Sequence, residues 1–199
     1  GSDLELVIKA GPARPKDREV LILKVTNKKK QRQMLTWNAV KGADSYVIYA
    51  ASCGSNSVKK VKTVSGKVTR WTYKKITGKG YYKYKVVARK GKKRLVSSHM
   101  THCYYTESSS RYQNPVKVAV NKEQLTLALG RSQKVRANLV IAKGKKLRKH
   151  AVPQIQYISN NLKIATVDKK GRIKAVGKGT CTVYAIGFNG VYRSEGTRL

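Results

Sequence analysis

Hydrophobic and polar positions along this chain alternate with period two in short runs, cut at intervals by glycine-, serine- and lysine-rich stretches. Alternation at two residues places every second side chain on one face of an extended strand, so each run predicts a strand with one face toward a core. From residue 20 the runs fall at 20–25, 34–40, 46–49, 59–64, 69–76, 81–89 and 94–105. Seven short strands at this spacing predict a β-sandwich. After the polar stretch 108–113, read as a linker, alternation resumes at 116–120, 125–130 and 135–139, and Ile155-Gln156-Tyr157-Ile158 leads into a hairpin. In that hairpin two apolar segments flank Asp168-Lys169-Lys170-Gly171, with Asp to open a tight turn and Gly where φ must become positive. Cys181, Val183 and Ala185 then alternate with Thr182 and Tyr184, which predicts one core-facing side and one outward side. No segment carries the 3.6-residue period of a helix. At the N-terminus, Leu4-Glu5-Leu6-Val7-Ile8 precedes Gly11-Pro12 and Pro15. That run reads as a leading edge strand or as the tail of a truncated element.

The stretch 159–185, with Ser159-Asn160-Asn161, Ala165-Thr166-Val167-Asp168, Lys169-Lys170-Gly171 and Gly179-Thr180, closely resembles the bacterial immunoglobulin-like domain of group 2. The resemblance covers about 114–199. Its last strand fits at 188–192 but lacks the expected alternating valines over 194–199. Leu35-Thr36-Trp37 followed by Gly42-Ala43-Asp44-Ser45-Tyr46-Val47-Ile48-Tyr49 resembles the second and third strands of a fibronectin type III domain. Ile76, Gly78 and Tyr82 are spaced like that family's tyrosine corner, in which the ring hydroxyl bonds the backbone upstream. On this resemblance Trp37, Tyr46, Ile48, Trp71, Tyr73, Tyr84, Val86 and Ala88 point inward. The expected fold is all-β, two tandem immunoglobulin-like sandwiches over 20–107 and 114–199, with 1–19 unassigned.

Composition adds charge. Lys and Arg total 44 against 9 Asp and Glu, a net charge of +35. It is spread along the chain, with 25 basic and 6 acidic side chains in residues 1–110 and 19 and 3 in residues 111–199. No basic tail carries it. Nothing approaches the roughly 18 consecutive apolar residues of a membrane helix. The chain opens at Gly1-Ser2 without methionine, which fits a cloning remnant ahead of a mature sequence whose signal peptide has been removed.

Candidate chemistry is sparse. Asp168 lies in a hairpin turn, Asp44 in a loop, Glu107 beside the linker, Asp3, Glu5, Asp17 and Glu19 in the leader, and Glu123 and Glu195 apart from one another. No two carboxylates have a reason to converge, so neither acid–base catalysis nor a cofactor is expected. His99-Met100-Thr101-His102-Cys103 holds the residue types that bind soft or borderline metals. On one strand, however, His102 and Cys103 face opposite sides, and His99 and Cys103 lie roughly 13 Å apart at about 3.3 Å per residue. No metal site is expected there. Three cysteines, an odd number, make no disulfide framework. A Cys53–Cys103 bridge would have to form beyond the end of an intervening strand, and Cys181 reads as a small buried thiol. Gly78-Lys79-Gly80 and Gly177-Lys178-Gly179 are turns between strands.

The charge is the remaining pointer. If Tyr84, Val86 and Ala88 face inward, Lys83 and Lys85 face outward beside Tyr49. With Lys59, Lys60 and Lys62, and with Lys145, Lys146, Arg148 and Lys149, they form the predicted polyanion-binding surface. Teichoic acid, a glycosaminoglycan or nucleic acid would suit it. A solvated basic face that keeps strand edges apart is the competing reading. Both family resemblances imply a non-catalytic secreted or cell-surface protein of a Gram-positive bacterium, adhesive or spacing in role. The partners expected are an anionic cell-wall polymer or glycan, or a protein. The further alternatives are a polyanion-binding module and the accessory domains of a secreted glycan hydrolase.

Overall fold

The computed structural model describes residues 3–7 and 19–192. From the N-terminus the strands are β1 (Asp3–Val7), β2 (Leu23–Lys28), β3 (Arg32–Trp37), β4 (Ser45–Ser52), β5 (Lys59–Ser65) and β6 (Arg70–Tyr73). They continue with β7 (Gly80–Lys90), β8 (Lys93–Ser97), β9 (Thr101–Tyr105), β10 (Lys117–Val120), β11 (Gln124–Ala128) and β12 (Ser132–Lys134). The last are β13 (Ala137–Val140), β14 (Ile155–Ser159), β15 (Ala165–Val167), β16 (Arg172–Ala175) and β17 (Thr180–Gly187). Among the described residues there is no helix.

The first sandwich packs a three-stranded sheet, β2-β3-β6, on a second sheet in the order β5-β4-β7-β8, with β9 also paired to β7. Its core holds Leu21, Leu23, Val25, Leu35, Trp37, Tyr46, Ile48, Tyr84, Val86 and Ala88, while Trp71 and Tyr73 are half-buried against it. The tyrosine corner is formed: Tyr82 Oη accepts from Thr77 N at 2.9 Å. One polar group is enclosed. Gln33 is fully buried, accepts from Tyr84 Oη and donates to Asn27 Oδ1 at 3.0 Å, which meets the requirement that a buried amide be bonded.

Two of the boundaries that differ from the sequence expectation are set by a polar side chain. The strand expected over 94–105 is broken at 98–100, where Ser98 Oγ accepts from Val86 N and donates to His99 O. A side chain there replaces a ladder bond. The strand expected from residue 20 starts at Leu23, because Asn38 pairs with the segment before it. Asn38 Oδ1 accepts from Ile22 N at 2.8 Å and Nδ2 donates to Val20 O at 2.7 Å.

In the second sandwich β11-β1-β17-β14 form one sheet, faced by β12-β16-β15 and by β10-β13. Leu125, Val135, Ile173, Cys181 and Val183 fill one interior. The hairpin forms as expected: Gly171 has φ +88°, and Asp168 Oδ1 accepts from Lys170 N and Arg172 N, each at 2.9 Å.

The leader strand is not an edge. β1 lies between two strands of the second sandwich, antiparallel to β11 and parallel to β17, with Leu6 opposite Leu125 and Cys181. Gly11-Pro12 and Pro15 lie outside the described residues, as does the expected strand remnant over 194–199. The strand expected at 188–192 is instead a turn at Asn189-Gly190, where Gly190 has φ +91°, as an Asn-Gly pair favours.

β17 is buried on both faces. Thr182 and Tyr184, expected on the outward side, are 3% and 2% exposed, and Ile186, next on that side, is 0% exposed. Val20 and Ile22 of the first sandwich cover Tyr184 and Ile186. Backbone bonds run across the same joint, from Val25 N to Asn189 O at 3.1 Å and from His102 N to Phe188 O at 2.7 Å. Asn114 accepts from Tyr104 N and donates to Tyr104 O.

Candidate functional site

The outer face of β7 carries Tyr81, Lys83 and Lys85, because Tyr82, Tyr84 and Val86 point into the core. Around the first two gathers a cluster that no single segment contains. Cys53 follows the last residue of β4 and is held by its N–H to Tyr81 O at 2.9 Å. His102 stands opposite Lys83 on β9. His150 arrives from the 141–154 loop of the second sandwich, with its ring stacked on Tyr81 at 3.9 Å and 7°. Cys53 Sγ lies 3.4 Å from His102 Nδ1, and His150 Nε2 lies 3.0 Å from the same nitrogen. All three are half-buried.

Burial sets the chemistry of these groups. The Cys53 thiol is pushed up to about 11 by desolvation, with the Lys83 ammonium pulling the other way. His102 is lowered to about 4, first by burial and then by His150 and Lys83. His150 is lowered by burial and by Lys83. Both imidazoles are therefore neutral at pH 7, the form that ligates a metal or accepts a proton.

His99 and Cys103 stay out of this cluster. Cys103 is fully buried, its Sγ 3.7 Å from Val25 O. His99 Nε2 lies 3.2 Å from Thr101 Oγ1, and burial lowers the ring to about 4. The alternation of β9 thus separates His102 from Cys103 as strand geometry requires, and Cys53, Cys103 and Cys181 are all thiols. What the sequence did not offer was the pairing of His102 with Cys53 and His150. Those residues lie 49 and 48 positions away on either side, and no spacing rule links them.

The lysines singled out from the sequence divide into two groups. On the first sandwich Tyr49 is in register with Lys60 on β5 and with Lys85 on β7. Lys85 Nζ stands 5.4 Å from the centre of the Tyr49 ring, within cation–π range. Lys59 and Lys62 are exposed on β5, whereas Lys83 Nζ is bonded to Ser55 O at 2.6 Å. On the second sandwich Lys145 Nζ donates to Ser110 O at 2.9 Å, Arg148 lies over Tyr112 at 5.2 Å, and Lys146 and Lys149 are exposed. A separate cleft of about 690 Å³ opens at the joint, lined by Lys24, Lys28, Lys29 and Lys30 together with Glu107 and Asn189. Its signal in the sequence is the Lys28-Lys29-Lys30 run.

Three carboxylates serve loop backbone. Asp44 Oδ2 accepts from Gly91 N, Glu19 Oε1 from Lys41 N, and Asp168 from its own hairpin. The backbone amide of Arg172 is the largest cause holding Asp168 below the usual carboxylate range.

Residues 116–193 match the bacterial Ig-like domain (group 2) family. No curated protein matches the chain. Among solved structures the chain is similar to the FN1–FN3 domains of chicken CNTN1, at 14% identity over 94% of this chain and 65% of that one, with a TM-score of 0.39. It is similar to an Fn3-like protein from Clostridium thermocellum, at 21% identity over 44% of this chain and 92% of that one, TM-score 0.38. It is also similar to the pectate lyase Pel3 from Pectobacterium carotovorum, at 15% identity over 42% of this chain, TM-score 0.38, and spans 27% of that enzyme's length. Residues 116–193 therefore form a domain that matches the bacterial Ig-like group 2 family, and the sandwich before it is all-β. Among the described residues no helix is long and apolar enough to cross a membrane.

Proposed function

We propose that this chain is a non-catalytic extracellular module of a Gram-positive bacterial surface, holding its attachments at a distance and under tension. The observation that supports this reading is the pairing of β1 with β17, parallel and in register over Glu5–Thr180, Leu6–Cys181 and Val7–Thr182. When a chain is pulled from both ends, β1 is drawn toward its N-terminus and β17 toward its C-terminus. Parallel neighbours pulled this way slide against each other, so their hydrogen bonds are loaded together rather than opened one by one. Everything between the two strands, the first sandwich included, carries no tension until that register fails.

Force spectroscopy tests the reading with handles on residues 1 and 199, compared with handles on residues 19 and 113. Terminal handles are expected to give one high-force rupture, after which the first sandwich extends. Extension of the first sandwich before that rupture would overturn it, since resistance to pulling is governed by the unfolding barrier of the loaded element.

A second reading, binding of an anionic wall polymer, is supported by the Lys60–Tyr49–Lys85 row. Retention on teichoic acid or heparin is then expected to fall steeply with salt. It is expected to collapse when Lys59, Lys60, Lys62, Lys145 and Lys146 are changed to Glu. Undiminished retention by that variant would dismiss the surface.

A further inference from the structure

We propose that Cys53 Sγ, His102 Nδ1 and His150 Nε2 form a zinc site that fastens the two sandwiches to each other. The three atoms lie within 4.8 Å of one another. Two come from the first sandwich, at the end of β4 and on β9, and one comes from the second. A tetrahedral zinc with bonds of about 2.0–2.1 Å to nitrogen and about 2.3 Å to sulfur sets neighbouring ligand atoms roughly 3.3 Å apart for N and N and about 3.6 Å for N and S. The separations here are 3.0 and 3.4 Å. Both are within a few tenths of an ångström of what the ion requires, and the fourth position is left to water.

The ligands are also held from behind. Tyr81 stacks on the His150 ring, and its hydroxyl donates to Arg148 O in the same loop. That loop is tied by Lys146 N to Arg111 O and by Gln113 N to Lys146 O, each at 2.9 Å. Supports of this kind fix the orientation of ligating imidazoles. On binding, the S–H proton of Cys53 passes to solvent as the zinc–sulfur bond forms, and both imidazoles ligate in their neutral form. Lys83 opposes the ion. It stands opposite His102 in the β7–β9 pair, and like charge repels the cation.

The competing account is a plain hydrogen bond between His102 and His150 with Cys53 as a bystander. The full chain, reduced and stripped with chelator, is titrated with Zn²⁺ and separately with Co²⁺ as a spectroscopic probe. One ion per chain is expected, with a thiolate-to-cobalt charge-transfer band and tetrahedral visible bands. Cys53→Ser is expected to abolish the charge-transfer band. His102→Ala and His150→Ala are each expected to weaken binding at least about 100-fold, and Lys83→Met to tighten it by about three- to tenfold. Zinc is expected to raise the melting temperature of the native chain but not that of His150→Ala. The substituted residues are only half-buried, and near-ultraviolet circular dichroism without metal establishes that each variant is folded. Absence of the cobalt band in the native chain, or binding unchanged in His150→Ala, would overturn the site. Either failure leaves the force-bearing reading standing, because that reading rests on β1 and β17 alone.

Discussion

Gly190→Ala is expected to lower the stability of this chain by at least about 3 kcal/mol. Two costs add there. Gly190 has φ +91°, a left-handed conformation that costs an L-residue roughly 1–2 kcal/mol. A Cβ at Gly190 would also fall on Leu23 O, with Lys24 Cα at 2.5 Å. Both atoms belong to the first sandwich, and both are backbone, so no side-chain rotation relieves the clash. The β2 backbone must move away, and with it the bond from Val25 N to Asn189 O. Gly144→Ala separates the two costs. Gly144 has φ +77° and nothing within 4 Å of an added Cβ, so only the conformational part remains. Denaturant midpoints of the two variants check the claim. Equal losses would mean that the joint yields without cost.

Removal of residues 1–7 is expected to unfold the second sandwich while the first keeps its core. β1 fills a gap in the sheet between β11 and β17, and its loss leaves two strand edges facing an empty place with their backbone groups unpaired. Unpaired buried backbone groups cost roughly 1–3 kcal/mol each, and the register joins β1 to five residues of β11 and three of β17. The sum, on the order of 10 kcal/mol, is comparable with the roughly 5–15 kcal/mol that holds a typical domain. Trp37 and Trp71 both belong to the first core, so their fluorescence reports that sandwich alone. Amide exchange in β14, β16 and β17 reports the other. A synthetic peptide of residues 1–8 added in trans is expected to restore protection by inserting as a strand. Native protection in the shortened chain without peptide would show that β1 contributes nothing to the sheet.

Alternation determined the strands and their buried faces: Tyr84, Val86 and Ala88 turn inward and Lys83 and Lys85 outward because period two leaves no other arrangement. Turn chemistry determined the hairpin at Asp168–Gly171, where glycine supplies the positive φ, and the resemblance of Ile76, Gly78 and Tyr82 to the fibronectin type III pattern implied the Tyr82 corner. These are interactions between residues close in sequence, and a short stretch encodes them completely.

Only the tertiary structure decided which surfaces meet. Thr182 and Tyr184 alternate like outward residues, yet they are buried, because the first sandwich lays Val20 and Ile22 over β17. The run 20–23 is continuously apolar for the same reason. Leu21 and Leu23 face one interior while Val20 and Ile22 face the joint. Leu4 to Val7 looked like a free edge strand because its partners lie some 120 and 175 residues away, beyond the reach of any local pattern. Cys53, His102 and His150 share no segment and no spacing, so their convergence depends on three backbone paths being brought together by packing. Periodicity records which side of a strand avoids water; which distant surface excludes that water is fixed only when the two sandwiches dock.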